Sequence, residues 1–69
     1  MEDRQLKRYF DAFTDCWKFF KKWSGEKKDE DWKQLLLEAE DLRKKDEDFV
    51  FRKTLISETI LELNRLCME

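Results

Sequence analysis

Lys27-Lys28-Asp29-Glu30-Asp31-Trp32 returns almost unchanged as Lys44-Lys45-Asp46-Glu47-Asp48-Phe49, seventeen positions further along the chain. Each copy carries two cations, then three acids, then an aromatic. Cations favour the last turn of a helix, against its negative end, and acids favour a first turn, against its positive end. Asp is also a preferred N-cap, because its carboxylate accepts a backbone N–H that the first turn leaves free. Each copy therefore predicts a boundary between two helices, and two boundaries divide the chain into three. The expected helices cover about 3–23, 30–45 and 47–67. Ser24-Gly25 closes the first, since glycine is the preferred residue just past a helix end. The fold class expected is all-α: a single-domain three-helix bundle, up-down-up, that self-associates.

A second architecture fits the same residues. Positions 32, 35, 39, 42, 46, 49, 53, 56, 60, 63 and 67 keep one unbroken heptad register. One long helix from Asp29 onward would align them, giving a helical hairpin that dimerises. Against it, Asp46 and Lys53 would sit in the seam, and Lys44 to Asp48 are five consecutive charges. The repeated boundary signal favours the break.

Size and composition narrow the class. A chain of 69 residues holds one domain and falls below the length at which a lone core is comfortably stable. With no His and only Cys16 and Cys67, a tetrahedral zinc site is not expected. Nor is a disulfide framework, which usually needs four or more cysteines. No cofactor is expected. Self-association is the remaining way to reinforce so small a core. Charged residues make up 46% of the chain, but 14% are aromatic, which disordered chains lack. One Gly and no Pro suit helices throughout. The start, Met1-Glu2-Asp3-Arg4, has no apolar run of the signal-peptide kind. No stretch approaches a membrane span. A cytoplasmic setting with reduced thiols is therefore expected. Residues 1–28 hold eight cations against five acids and residues 29–69 seven against twelve, so a basic first helix is expected to lie against two acidic ones.

Periodicity assigns faces. In the first helix Leu6, Phe10, Phe13, Trp17 and Phe20 alternate spacings of four and three, the signature of one helical face. They form the expected inward seam. Tyr9, Cys16 and Trp23 flank it, with Ala12 and Phe19 further round. Together these cover about half the circumference, more than an edge helix of a small bundle needs to bury. In the second helix Trp32, Leu35, Leu36, Ala39 and Leu42 form the inward stripe, and Leu37 points away. In the third, Phe49, Ile56, Ile60, Leu63 and Cys67 form the main face, beside Leu55, Thr59 and Leu66. Val50, Leu61 and Met68 make a weaker second stripe.

Catalytic parts are sparse. No His offers a proton shuttle near neutral pH, and one Gly cannot build a phosphate loop. Cys16 and Cys67 read as small core hydrophobes. In an up-down-up bundle they would differ by about 9 Å in height, too far for a disulfide. The carboxylate pairs are explained by helix starts and solvated faces. The stretch Trp17-Lys18-Phe19-Phe20-Lys21-Lys22-Trp23 has three readings: a core face with lysine stems along it, a single-strand nucleic-acid surface, or an interfacial membrane helix. The core reading suits Trp17 and Phe20. The start of helix three, with Arg52, Lys53 and Thr54, resembles a groove-reading helix, but the acids before it would repel phosphate.

The surplus of aromatic surface points to docking. The function expected is a small non-enzymatic protein-interaction module or regulator, acting as a homodimer or on a larger protein. Its expected contact patch is Ala12, Cys16, Phe19 and Trp23, continued by Val50, Leu61 and Met68. The alternative is nucleic-acid binding through Lys18, Lys21, Lys22, Lys27 and Lys28.

Overall fold

The computed structural model describes residues 1–68. Three helices follow in order: α1 Asp3–Lys22, α2 Asp29–Lys44 and α3 Val50–Met68. They pack as a three-helix bundle, with α3 running along both α1 and α2. Arg8 meets Asp46 at one end and Lys27 meets Cys67 at the other, so α1 and α3 run parallel and α2 runs antiparallel to both. The bundle measures 41 × 20 × 16 Å, so every helix keeps a long solvent face. The break between α2 and α3 replaces the single long helix of the hairpin alternative.

The two copies of the repeated segment end helices differently. In the first, Asp29, Glu30 and Asp31 form the first turn of α2, and Asp31 Oδ2 accepts the backbone N–H of Lys28 at 2.9 Å. In the second, the acids do not enter α3, which starts three residues later than expected and has no acid in its first turn. They form the turn itself, closed by the Phe49 N–H donating to the Asp46 carbonyl at 3.0 Å. Asp46 is drawn out of helix by Arg8, whose Nε and Nη2 each donate to its carboxylate at 2.8 Å. Such bidentate, charge-assisted contacts are among the stronger side-chain hydrogen bonds. At the end of α1 the Trp23 N–H reaches the Phe19 carbonyl at 3.1 Å and Ser24 Oγ caps Lys21 at 3.0 Å. Gly25 does not adopt the left-handed cap expected of it, since no described residue has a positive φ.

The core forms around Cys16, Phe19, Leu35, Ala39, Ile56 and Leu63, with Trp32, Leu42 and Ile60 packed against it. In α2, Leu36 is exposed together with Leu37, which narrows the inward stripe expected there. In α3, Cys67 is exposed rather than inward.

The largest correction concerns α1. Its buried residues are Ala12, Cys16 and Phe19, while Leu6, Phe10, Phe13 and Trp17 of the expected seam are exposed. Two stripes with the same periodicity compete for the interior, and the narrower wins. Ala12 and Cys16 are small, so the helix backbones approach closely across them. This rotation also carries Asp15 to the bundle edge, where Arg52 Nη2 donates to it. Arg52 is only 2% exposed. Its Nε donates to the Leu42 carbonyl at 2.6 Å, one of the last-turn carbonyls that α2 leaves without a helical partner. One guanidinium thus ties α3 to both other helices. Turning the aromatic stripe inward would swing Asp15, nearly opposite on the helical wheel, into solvent. Arg52 would then be a buried charge without a counter-charge, which costs several kcal/mol, on the order of 3–5.

Candidate docking surface

Leu6, Phe10, Phe13 and Trp17 follow one another along the outer face of α1, exposed by 51, 68, 56 and 61% respectively. From Leu6 to Trp17 the helix rises about 16 Å. The stripe is held in shape by ring contacts. Phe13 meets the edge of Phe51 at 5.3 Å, and Trp17 stacks on half-buried Phe20 at 6.5 Å. Tyr9 lies between Phe49 and Phe51, 4.9 Å from each, and the Arg8 guanidinium covers Phe49 at 4.4 Å. These contacts fix Phe13 and Trp17 before any partner arrives, which lowers the ordering cost of binding.

The stripe has edges of opposite sign. On the side away from α3 stand Lys7, Lys18 and Lys21, with Asp3 at the N-terminal end, all exposed and, among the described residues, in no ion pair within the chain. On the other side a shallow groove separates α1 from α3. Phe13, Trp17 and Phe20 line it from α1, and Leu55, Glu58 and Glu62 from α3. Arg65 donates to Glu62 and holds its carboxyl below the usual range.

The residues expected to form the patch divide into two sets. Ala12, Cys16 and Phe19 are buried, so no partner meets them at the surface. The aromatic surplus that motivated the patch is present, but on the neighbouring arc of the same helix. Trp23 is half-buried, and its indole N–H donates to Glu38 Oε2 at 2.9 Å. Val50, Leu61 and Met68 are exposed on α3. Burial pushes the Cys16 thiol up, despite the opposing effect of Arg52.

The basic end is partly committed within the chain. Lys22 pairs with Glu38 at 3.0 Å and lies 5.2 Å from the Trp23 ring. Lys27 donates to the Gly25 carbonyl at 2.8 Å and to Cys67 Sγ at 3.3 Å, and covers Trp32 at 5.2 Å. Lys18, Lys21 and Lys28 are exposed. Arg52, which a groove-reading helix would turn outward, is buried, while Lys53 and Thr54 are exposed.

Among the described residues no three Cys, Asp or Glu side chains gather closely enough to hold a metal ion. No described helix is long and apolar enough to cross a membrane. Comparison with protein-family models, with curated proteins and with solved structures finds no match.

Proposed function

We propose that this chain is a small, non-enzymatic protein-interaction module that docks through the outer stripe of α1, in a reducing cytoplasmic setting. The observation that carries this reading is the row Leu6, Phe10, Phe13 and Trp17, each more than half exposed on one face. Aromatic rings cost about 25 cal/mol per Å² of apolar surface left in water. Isolated exposed apolar residues are ordinary, but a contiguous row of rings rimmed by charge is the composition of an interface core. The stripe is broad and open, which suits a facing helix better than a small molecule.

Incorporating a photoreactive benzoylphenylalanine at position 17, and separately at exposed Glu40 on α2, tests this in the native cell. Position 17 is expected to yield discrete protein adducts on irradiation and position 40 none. Equal yields from both, or none from position 17, refutes the reading.

One observation favours a second reading. Trp17 is exposed with Lys18 beside it and Lys21 one turn on, a pairing of ring and cation that suits single-stranded nucleic acid. The same groove carries Glu58 and Glu62, which repel phosphate. Docking predicts no change in tryptophan fluorescence when oligonucleotide is titrated at low salt. A saturable change that vanishes at higher salt would favour nucleic acid instead.

A further inference from the structure

We propose that the occupant of the α1 stripe is a second copy of this chain, related by a two-fold axis along α1, so that Lys18 and Lys21 of each copy meet Glu58 and Glu62 of the other. This rests on the docking reading above, of which it names the partner and its direction.

The assignment follows from which edge carries which charge, and at what height. Glu58 and Glu62 line the same groove as Trp17 and Phe20. They therefore stand level with the turn of α1 that carries Lys18 and Lys21, on the opposite edge of the stripe. A two-fold axis relating two facing surfaces lies in the plane of contact, and the contact is self-complementary. If the axis runs along α1, it exchanges the two edges and preserves height. Basic edge then meets acidic edge, residue level for residue level, and Phe10, Phe13 and Trp17 face their own counterparts. If the axis runs across α1, each edge meets itself, and lysines face lysines. The parallel arrangement pairs more opposite charges, since with the axis across α1 only Asp3 offers a lysine an acid. Lys18, Lys21 and Glu58 are in no ion pair within the chain among the described residues, whereas Glu62, already held by Arg65, would share its carboxylate with the incoming lysine.

Area points the same way. The four stripe residues leave roughly 500 Å² exposed per copy. A standard interface needs about 800 Å² per partner. Lysine stems on one edge and the exposed flank of α3 on the other extend the patch toward that figure when two copies face each other. A chain of this length is also one that commonly needs association to reinforce its core.

Sedimentation equilibrium on the full chain tests the proposal, with helical content checked by circular dichroism. The variants are Lys18→Glu/Lys21→Glu, Glu58→Lys/Glu62→Lys, their equimolar mixture, and Trp17→Ser. Wild type is expected to dimerise. Each rim variant alone is expected to weaken dimerisation by roughly tenfold or more, because every reversed pair occurs twice in the dimer. The mixture is expected to recover it as a heterodimer, and Trp17→Ser to lose it. Wild type that stays monomeric, whether or not it floats with anionic lipid vesicles, overturns the second-copy assignment while the cellular cross-linking above still decides whether the stripe docks on another protein. Rim variants that dimerise like wild type overturn the parallel pairing. If Trp17→Ser also dimerises like wild type, association uses another face and the second-copy assignment of the stripe falls, while the cross-linking at position 17 decides the docking reading.

Discussion

Replacing Phe19 by Ala and, separately, Phe10 by Ala distinguishes the two competing faces of α1. Both are phenylalanines in the same helix, yet Phe19 is 1% exposed and Phe10 68%. Phe19 packs in the core with Leu35, Ala39 and Ile56. Truncating a buried Phe removes its transfer free energy and leaves a cavity that only partly collapses, together about 3–5 kcal/mol. A 69-residue chain has a total stability of roughly 3–10 kcal/mol. Phe19→Ala therefore removes a third of the stability or more, and at the lower end unfolds the chain. Phe10→Ala opens no cavity. It exchanges an exposed ring for the best helix former, so the change stays within about 0.5 kcal/mol. Urea titration followed by circular dichroism reads both, at a protein concentration low enough that association does not contribute. With a slope near 1 kcal/mol per M, Phe19→Ala moves the midpoint by about 3–5 M, or abolishes the transition, and Phe10→Ala moves it by less than about 0.5 M. Equal losses, or a larger loss for Phe10→Ala, would show that α1 is rotated the other way and would refute the assignment of its faces.

Three further outcomes follow from the structure. Arg52→Ala leaves the Leu42 carbonyl without its donor and Asp15 with only Lys45, 3.8 Å away, and is expected to cost about 2–3 kcal/mol, while Arg52→Met combined with Asp15→Asn recovers part of that loss; equal stabilities of the single and double variants in urea would contradict the tie between helices. Arg8 holds the Asp46 carboxyl below its ordinary value, chiefly by hydrogen bonding. The contribution of Asp46 is therefore full above the ordinary Asp pKa, near 4, and is lost as pH falls through its lower folded value. Thermal melts below about pH 4 should show that decline in wild type and a smaller one in Arg8→Gln, and identical pH profiles would argue against the pair. Cys67 is exposed and Cys16 buried, so a disulfide reagent should titrate one thiol in the folded chain and the second only on unfolding; simultaneous reaction of both would contradict the burial of Cys16.

The helix count and connectivity were readable from the repeated Lys-Lys-Asp-Glu-Asp segment because capping and dipole preferences act over a few neighbouring residues. The same local logic placed the second boundary too early. It gave Asp46 a role in a helix start, whereas Asp46 bonds Arg8 from 38 positions away. Faces were harder to read. Leu6, Phe10, Phe13, Trp17 and Ala12, Cys16, Phe19 obey the same period, and periodicity alone does not say which stripe points inward. Size tempts one to bury the larger rings. The deciding partner was Arg52, whose buried guanidinium needs Asp15 nearby, and that dependence crosses 37 positions. Surplus aromatic area on α1 was legible from composition and spacing. The arc on which it would be displayed was not, because that depends on which polar residues the other helices bring to the bundle edge.

Hydroxyl-radical footprinting, read by mass spectrometry at Leu6, Phe10, Phe13 and Trp17 across a range of protein concentration, tests the central claim most directly. The account predicts rapid oxidation of these side chains in dilute chain, with Phe19 protected throughout. As concentration rises, the stripe becomes protected while exposed Leu37 on α2 stays reactive. A stripe already protected at the lowest concentration, or one that remains fully reactive at the highest and in cell lysate alike, would contradict it.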